Sequence, residues 1–457
     1  MSNEVFSWKI ESIEASKQLC LPIDNFLTVK SCSNFQQIGT FRDSNYAPIH
    51  RWFRYPAGYS YKLVETLIND YSLDSNSWLL DPFVGSGTTS VVAKQHGINS
   101  LGIEAHPFVN WVAKSKCFWE YDLKRLNLNI EKFLSYLQDI PAFAGSQSIA
   151  NFPELVGKCY SDENLWVLKF IRDSIEIFAD SEEENSFFRL ALTDTLRTAS
   201  TAGTGWPYIA PSKYHEKQEQ PGLQVFSKTV KRMYKDLVTV LATRVKVEVQ
   251  TLLPLMDARQ PYQIEPQSID LAVTSPPYLN NYDYADRTRL EMYFFGWANC
   301  WRDITEQVRD RLIIAATTQV RRNEFQVQPL SLVIQDIEPN LYNELSKKIQ
   351  LLSEQRLQKG GKKSYDLMVV GYFNNMVQVL QQVHYVLKPG ASFFLILGDS
   401  APYGIHIPTE EYLGRLAVAL GFHKYHIHNL RERGGKWKNN PQRHKVMLKE
   451  GILVIEK

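Results

Sequence analysis

Two short segments of the chain combine residue types that could bind and modify a small planar molecule. The first, DPFVGSGTTS, begins at Asp81 and carries Gly85 and Gly87. Glycines let the backbone approach a ligand closely and adopt positive φ, and strand–glycine loop–helix units bind adenosine-containing cofactors. Glu104 follows 23 residues after Asp81, where a carboxylate can accept hydrogens from both hydroxyls of a ribose. The GxxxxGK phosphate loop and the full GxGxxG pattern are absent, and the alternative is an ordinary tight turn between strand and helix.

The second segment is TSPPY, from Thr274 to Tyr278. Two consecutive prolines cannot donate hydrogen bonds and resist helix formation, which leaves the carbonyls of Ser275 and Pro276 as acceptors. Together with the Ser275 hydroxyl and the Tyr278 ring, these acceptors suit a planar base that carries an amino group. The acceptors would take the two N–H hydrogens while the ring stacks on the base. The alternative for this segment is a plain proline-rich loop.

The elements that must position these segments are strands of a parallel sheet. A strand from Trp78 to Leu80, a helix opening near Thr88, a stop at Gly97 and a strand from Ser100 to Ile103 form a βαβ unit. An apolar strand, Leu271–Val273, precedes TSPPY. Both segments are therefore expected at the carboxyl edge of one sheet. Further predicted strands are Val245–Gln250, the run within KPGASFFLILGDS, Phe422–Leu430 and Gly451–Ile455; predicted helices are Tyr61–Tyr71, Val225–Thr243, Tyr372–Leu387 and Glu410–Leu420.

The pattern predicts an α/β sheet interrupted by two large insertions that lack sheet character and are mainly helical or irregular. On this basis the chain divides into an N-terminal and cofactor-binding part (1–110), a first insertion (111–245), a catalytic-loop part (246–286), a second insertion (287–365) and a C-terminal part (366–457). Either insertion is a candidate for recognition rather than catalysis. The second is favoured slightly, because it adjoins TSPPY and carries Arg309, Arg311, Arg321 and Arg322.

Composition excludes several classes of protein. The 457 residues are 44% hydrophobic and 22% charged, with a net charge of +2, which is typical of a globular protein with a real core. No apolar run approaches the roughly 18 residues that cross a bilayer, and the start MSNEVFSWKIESIEASK does not resemble a secretory signal. The odd count of five cysteines without a CxxC pair argues against disulfides and indicates a reducing cytoplasm.

The two segments together resemble the amino-group DNA methyltransferases. DPFVGSGTT resembles the S-adenosylmethionine-binding motif of that family, and TSPPY resembles its catalytic motif. Other matches follow in order: HRWFRYPAGYS (His50 to Ser60) resembles the N-terminal motif that flanks the cofactor, MDAR (Met256 to Arg259) stands where the family keeps an acid near the adenine, and VLKPGASFFLILGDS resembles the strand after the catalytic loop. The matches are spread over most of the chain but do not cover the two insertions. The resemblance implies a Rossmann-like, S-adenosylmethionine-dependent methyltransferase sheet.

The resemblance also implies a role for particular residues. S-adenosylmethionine is the expected cofactor, and no metal is expected. Its methionine part would be wrapped by Asp81, Phe83, Gly85 and Gly87, its ribose held by Glu104 and its adenine amino group by Asp257, with Tyr55 and Pro56 in the pocket wall. The flipped target base of double-stranded DNA would be held by Ser275, Pro276, Pro277 and Tyr278.

The expected reaction is methylation of an exocyclic amine, with no covalent intermediate. In the family, serine before Pro-Pro-Tyr goes mostly with cytosine N4, whereas Asp or Asn goes mostly with adenine N6, so Ser275 predicts cytosine N4 with adenine N6 as the alternative. Carbon-5 methylation would need a cysteine after a proline, and none of the five cysteines follows one. A modification enzyme with a cognate restriction endonuclease as genetic partner is expected. The competing interpretations are an RNA methyltransferase and a catalytically silent nucleic-acid-binding module.

Three other features carry weaker signals. His423, His426 and His428 cluster without an acid or cysteine at ligand spacing, so a metal site is not expected. The basic segment from Leu430 to Lys445 and the glycine-marked segment from Thr198 to Lys217 could each contact DNA phosphates. For both segments the alternative is an ordinary surface loop.

Overall fold

The core of the protein is one seven-stranded sheet. A computed structural model describes residues 43–55, 58–202, 217–320, 330–433 and 446–457. The strands are β1 (Trp78–Asp81), β2 (Asn99–Gly102), β3 (Thr251–Leu252), β4 (Ile269–Thr274), β5 (Leu387–Gly398), β6 (Lys424–Arg433) and β7 (Leu448–Glu456). Their order across the sheet is β3-β2-β1-β4-β5-β7-β6. The first five strands in this order, β3, β2, β1, β4 and β5, are parallel to one another. Strand β7 pairs antiparallel with both β5 and β6.

The strand order reverses between β1 and β4, and such a switch point opens a crevice at the carboxyl ends of the strands. Leu79 pairs with Leu271 and Leu80 with Ala272 across these two strands. Both strands are almost wholly buried because helices cover the two faces of the sheet. The register therefore brings the segment after Asp81 and the segment after Thr274 to the same crevice.

Fifteen α-helices of the described residues surround the sheet. They are α1 (Tyr61–Asp70), α2 (Thr88–His96), α3 (Pro107–Cys117), α4 (Leu123–Tyr136), α5 (Glu154–Gly157), α6 (Asp162–Phe178), α7 (Glu182–Ala199), α8 (Gly222–Thr243), α9 (Tyr284–Arg287), α10 (Arg289–Phe294), α11 (Trp301–Ile304), α12 (Leu332–Ile337), α13 (Pro339–Gln358), α14 (Tyr365–Val386) and α15 (Thr409–Ala419). Within the described ranges, no helix is both long enough and apolar enough to cross a membrane.

The predicted α/β class is confirmed, and most predicted elements lie within a few residues of their observed bounds. The first βαβ unit forms as expected, with Gly97 ending α2 at φ 71°. The predicted strand Val245–Gln250 is wrong, since pairing with β2 begins only at Thr251. Val245 packs over Gly97, where an added Cβ would lie 3.0 Å from the valine side chain. The alternating valines thus cover the end of α2 before the chain reaches the edge of the sheet.

The two insertions contain no strand among their described residues. In the first, α4, α6, α7 and α8 share an apolar core that includes Phe133, Phe188 and Phe226. In the second, α13 packs on α14 and buries Leu341, Leu345 and Leu352. The division of the chain into five parts at the predicted boundaries stays a prediction.

Candidate active site

A pocket with about 730 Å³ of empty space lies at the carboxyl ends of β1, β2 and β4. Its wall combines the glycine loop, Glu104, Asp257 and the start of the TSPPY segment, which lie far apart in the sequence. The predicted cofactor and base-binding motifs therefore meet in one cavity.

The glycine loop contains two glycines whose backbone conformation disfavours other residues. Gly85 has φ 54° and Gly87 has φ 91°, conformations that other residues rarely adopt. A Cβ on Gly85 would lie 3.6 Å from the Tyr55 ring, and one on Gly87 would lie 3.4 Å from Ala113. Phe83, Gly85 and Tyr55 line the pocket, whereas Pro56 lies outside the described residues.

Asp81 stands behind the pocket wall and is not among the residues that line it. Its carboxylate accepts hydrogen bonds from the Phe83 backbone N–H at 3.0 Å and from the hydroxyls of Tyr59 at 2.9 Å, Thr89 at 2.5 Å and Thr274 at 2.5 Å. Burial raises the pKa of Asp81, and these four donors oppose that rise. The arrangement makes Asp81 a residue that positions the loop around the cofactor pocket.

Glu104 follows β2 and lines the pocket directly. The backbone N–H of His106 donates to its Oε1 at 2.8 Å, which fixes the side chain. Burial raises the pKa of Glu104 to about 7, although hydrogen bonds from the backbone of His106, Gly85 and Ala105 lower it. Glu104 therefore presents an oriented carboxyl group whose charge depends on pH near neutrality.

Asp257 lines the same pocket together with Ala258. Arg259 holds it in a forked ion pair, in which the Arg259 Nε lies 2.9 Å from both carboxylate oxygens. The Arg259 backbone N–H also donates to Asp257 Oδ1 at 2.9 Å. The pair fixes the orientation of an acid that shares the pocket wall with Glu104.

The TSPPY segment contributes Ser275 and Pro277 to the pocket wall, whereas Pro276 is buried and Tyr278 is partly buried. The Ser275 hydroxyl hydrogen-bonds the Tyr278 hydroxyl. Among the described residues, no backbone N–H donates to the carbonyl oxygen of Ser275 or Pro276. Neither carbonyl is therefore occupied by a backbone donor of the described protein.

Tyr278 is held from its other side by the β6–β7 hairpin. Its hydroxyl donates to Glu450 Oε1 at 3.5 Å, and the Arg433 guanidinium lies 5.3 Å from the ring centroid. Glu450 is buried and accepts two hydrogen bonds at 3.0 Å from Arg431. Burial raises the pKa of Tyr278, and the charge of Glu450 raises it further. The phenol therefore stays neutral and its ring is fixed beside the loop.

Sequence reasoning missed several residues of this site, namely Tyr59, Thr274, Tyr284, Arg311 and Glu450. Tyr59 stands inside the predicted N-terminal motif, and Thr274 immediately precedes Ser275, so their position could have suggested them. Tyr284, six residues after Tyr278, hydrogen-bonds the Tyr278 backbone. Arg311 and Glu450 gave no local signal for this pocket, because each reaches the site through tertiary packing alone.

The N-terminal segment is fixed against the rest of the site by a buried lysine. Lys116 is 2% exposed and donates to the carbonyls of His50 at 3.0 Å and Phe53 at 3.2 Å. Burial lowers its pKa to about 7. This contact holds the stretch that ends in Tyr55 beside α3.

The other candidate regions do not enter this pocket. Over the ranges described above, no group of three or more His, Cys, Asp or Glu side chains is placed to hold a metal ion. Most of the predicted DNA-facing segments, residues 203–216 and 434–445, lies outside the described residues, as do Arg321 and Arg322. Arg309 pairs with Asp283, and Arg311 lines the pocket.

Comparison with known proteins agrees with this geometry. A model of the DNA methylase family that covers N6 and N4 methyltransferases matches residues 12–115. The chain is 24% identical over 489 aligned positions to the Type II methyltransferase M.BsoBI of Geobacillus stearothermophilus, covering 100% of this chain and 94% of the relative. It is 25% identical to the Type II methyltransferase M.AvaI of Nostoc sp., covering 85% and 82% of the two chains. It is 21% identical to the Type II methyltransferase M.MvaI of Kocuria varians, covering 88% and 87%.

The comparisons and the pocket lead to one family. The methyl donor of that family is S-adenosylmethionine, and the residues present fit it: a loop with two glycines at positive φ, then an acid at the end of the next strand. The order of the sheet and the meeting of both motifs at its switch point agree with the match in sequence. The chain is similar to the amino-group (N6/N4) DNA methyltransferases, through the family match at residues 12–115 and through Type II relatives that align with most of its length.

Proposed function

We propose that this protein transfers a methyl group from S-adenosylmethionine to the N4 amine of cytosine in double-stranded DNA, as the modification enzyme of a restriction–modification system. The observation that carries the proposal is the position of Ser275. It heads the Pro-Pro-Tyr loop at the end of β4 and lines the same pocket as the glycine loop and Glu104. A base held at Ser275 would therefore meet a cofactor held by the glycine loop.

The proposed cofactor contacts follow from the pocket wall. Phe83 and Gly85 line the loop proposed for the methionine part, with Tyr55 against Gly85, and Gly87 behind them packs on Ala113. Glu104 would accept hydrogens from the ribose hydroxyls, and Asp257 would accept one from the adenine amine. Asp81 supports these contacts from behind, because its four donors tie the loop to α2 and β4.

The proposed chemistry of the catalytic loop is alignment of a poor nucleophile. An exocyclic amine delocalises its lone pair into the ring of the base. The carbonyl oxygens of Ser275 and Pro276 would accept hydrogen bonds from the two N–H groups of the amine. These bonds would favour a pyramidal nitrogen with a localised lone pair. S-adenosylmethionine supplies an electrophilic methyl group on its sulfonium. The Tyr278 ring, fixed by Glu450 and Arg433, would hold the flipped base by stacking.

The preference for cytosine rests on the neutral side chain at the head of the loop. Serine before Pro-Pro-Tyr accompanies cytosine N4 in most members of the family that the sequence resembles. Ser275 is an uncharged hydroxyl that hydrogen-bonds Tyr278, whereas an aspartate would bring a charged and stronger acceptor. The relatives M.BsoBI and M.AvaI are named Type II methyltransferases, which supports the restriction–modification role and a cognate endonuclease as genetic partner.

Mass spectrometry of nucleosides tests the proposal. The purified protein and S-adenosylmethionine are incubated with unmethylated plasmid DNA, and the DNA is then digested. N4-methylcytosine is the expected product, and N6-methyladenine alone would overturn the cytosine assignment. Tritiated methyl transfer to RNA but not to DNA would support an RNA methyltransferase, and transfer to neither would support a silent binding module.

A matched variant connects the product to the site. Ser275→Ala should lower turnover and leave affinity for S-adenosylhomocysteine nearly unchanged, because the hydroxyl is proposed to act on the base. Ser268→Ala, just before β4, serves as the control, since the Ser268 hydroxyl bonds locally to the Glu265 carbonyl and does not line the pocket. Equal turnover in both variants would argue against a role for Ser275.

A further inference from the structure

The second insertion supplies part of the wall of the cofactor pocket. Arg311, Leu312 and Ile313 line it together with Gly85, Glu104 and Ser275. These three residues follow a π-helical turn, Thr305–Arg309. The N–H of Arg311 donates to the Val308 carbonyl at 3.0 Å and that of Leu312 to the Arg309 carbonyl at 3.3 Å. The insertion thus reaches into the site and not only around it.

This stretch is tied to the catalytic loop by hydrogen bonds. The Asn280 N–H donates to the Ala315 carbonyl at 2.8 Å. The Ile314 N–H donates to Asn375 Oδ1 at 3.0 Å, and the buried Gln319 side chain accepts from the N–H groups of Ala315 and Ala316 at 2.9 Å. The position of residues 311–313 is therefore fixed by the fold.

Charge distinguishes Arg311 from other arginines around the pocket. Arg259 pairs with Asp257, Arg287 with Glu291 and Arg309 with Asp283. Arg311 forms no ion pair with any acid of the described ranges, and its side chain is exposed at the pocket wall. A guanidinium that lacks an acid in the protein can pair with an anionic group of a ligand.

The proposed cofactor carries one anionic group, the carboxylate of its methionine, and its sulfonium would repel an arginine. Arg309, two residues before Arg311, donates to Asp283 at 2.7 Å. Asp283 precedes Tyr284, whose ring lies 6.5 Å from that of Tyr55. Tyr55 in turn covers Gly85 in the loop proposed to hold the methionine part. These contacts connect the segment that precedes Arg311 to the loop proposed to hold the methionine part.

We propose that Arg311 binds the methionine carboxylate of the cofactor, so that the second insertion completes the cofactor site. This inference rests on the proposed use of S-adenosylmethionine in this pocket and is independent of which base is methylated. It assigns a cofactor-binding role to an insertion that the family motifs do not cover.

Calorimetry with two ligands tests the assignment. S-adenosylhomocysteine contains the amino-acid carboxylate, whereas 5′-methylthioadenosine lacks the amino-acid part and keeps the adenosine. Arg311→Gln should weaken binding of S-adenosylhomocysteine roughly tenfold or more, the effect of losing a charged hydrogen bond. Its affinity for methylthioadenosine should stay within about twofold of the original protein. Arg302→Gln, an exposed arginine of the same insertion outside the pocket lining, should change neither affinity.

Three results would overturn the proposal. One is unchanged affinity for S-adenosylhomocysteine in Arg311→Gln with weakened DNA binding, which would assign the arginine to a DNA phosphate. Another is an equal loss of affinity for both ligands, which would mean that the substitution disturbs the pocket itself. The third is an equal effect of Arg302→Gln. If the wild-type protein binds neither ligand, the proposed cofactor site itself is refuted. The identity of the methylated base is tested separately, by the nucleoside analysis of DNA treated with the wild-type protein.

Discussion

Thr274 Oγ1 donates a hydrogen bond to Asp81 Oδ1 at 2.5 Å, and this contact joins the carboxyl ends of β1 and β4. Both side chains are buried, with at most 1% of their surface exposed. Asp81 starts the glycine loop and Thr274 immediately precedes Ser275. One buried hydrogen bond therefore fixes the two motifs of the site relative to each other.

Replacing Thr274 by valine keeps the shape of the side chain but removes this donor to a buried carboxylate. We expect Thr274→Val to lower the free energy of unfolding by about 1.5–3 kcal/mol, the usual contribution of a hydrogen bond to a charged group. Denaturant unfolding measures the change. Thr195→Val is the matched control, since the Thr195 hydroxyl is equally buried but donates to the neutral Ala191 carbonyl at 2.8 Å. Equal losses in both variants would contradict a special role for the Asp81 contact.

The charge of Glu104 should make cofactor affinity depend on pH. Burial raises its pKa to about 7, and the ionised form is the better acceptor for ribose hydroxyls. Affinity for S-adenosylhomocysteine should therefore rise as pH increases through about 7 and level off above it. Glu104→Gln should remove this dependence, whereas Glu183→Gln, at an exposed position on α7, should keep it.

The raised pKa of Glu104 predicts that the stability of the cofactor-free protein falls as pH rises, opposite to the trend in cofactor affinity. Between the ordinary pKa of 4.5 and about 7, the folded protein binds more protons at Glu104 than the unfolded chain does. This contribution to the free energy of unfolding is therefore fully present below pH 4.5 and is lost as pH rises through about 7. Chemical unfolding of the wild type and of Glu104→Gln over that interval measures it, and parallel curves would contradict the shift.

The Tyr278 ring and hydroxyl can be separated by substitution. If the ring stacks on the target base, Tyr278→Ala should lower turnover by about 5- to 150-fold, since stacking contributes about 1–3 kcal/mol per base. Tyr278→Phe should retain most of the activity, because it loses only the bonds to Glu450 and Ser275. Calorimetry should show unchanged cofactor affinity in both, because Tyr278 is not among the pocket-lining residues. If turnover falls as far in Tyr278→Phe as in Tyr278→Ala, the hydroxyl rather than the ring is responsible for the effect.

Target recognition is predicted to reside in the second insertion, and the structure restricts how this is tested. Because Arg311–Ile313 line the pocket, the exchange should start after Gln319 and cover residues 320–365. A donor segment from a family member with a different site should change the methylated sequence and preserve binding of S-adenosylhomocysteine. Methylome sequencing of a host that expresses the chimaera gives the result. An unaltered methylated sequence would place recognition elsewhere, with the first insertion as the next candidate.

The sequence by itself determined the βαβ unit, the positions of both motifs after strands, and hence their meeting at one edge of the sheet. These features depend on local patterns: apolar runs define β1 and β4, and glycines with positive φ mark the loop and the end of α2. Since parallel strands share an edge for their carboxyl ends, local patterns sufficed to bring Glu104 and Ser275 to one pocket.

Only the tertiary structure decided which of these residues line the pocket. The sequence predicts a cofactor contact for Asp81, but its carboxylate is occupied by Tyr59, Thr89 and Thr274 behind the pocket wall. It also places Arg311 in an insertion predicted to carry recognition, and the structure adds that Arg311 lines the pocket. Such assignments depend on contacts between residues far apart in the chain, and the orientation of a side chain at those contacts is set by packing.

The edge of the sheet shows the same limit. Alternating valines predict a strand at Val245–Gln250, yet the pairing with β2 begins at Thr251. Alternating apolar residues indicate only that every second side chain contacts an apolar surface. Here that surface is the end of α2 at Gly97. A strand also needs a partner backbone within hydrogen-bonding distance, and the position of that partner is a property of the whole fold.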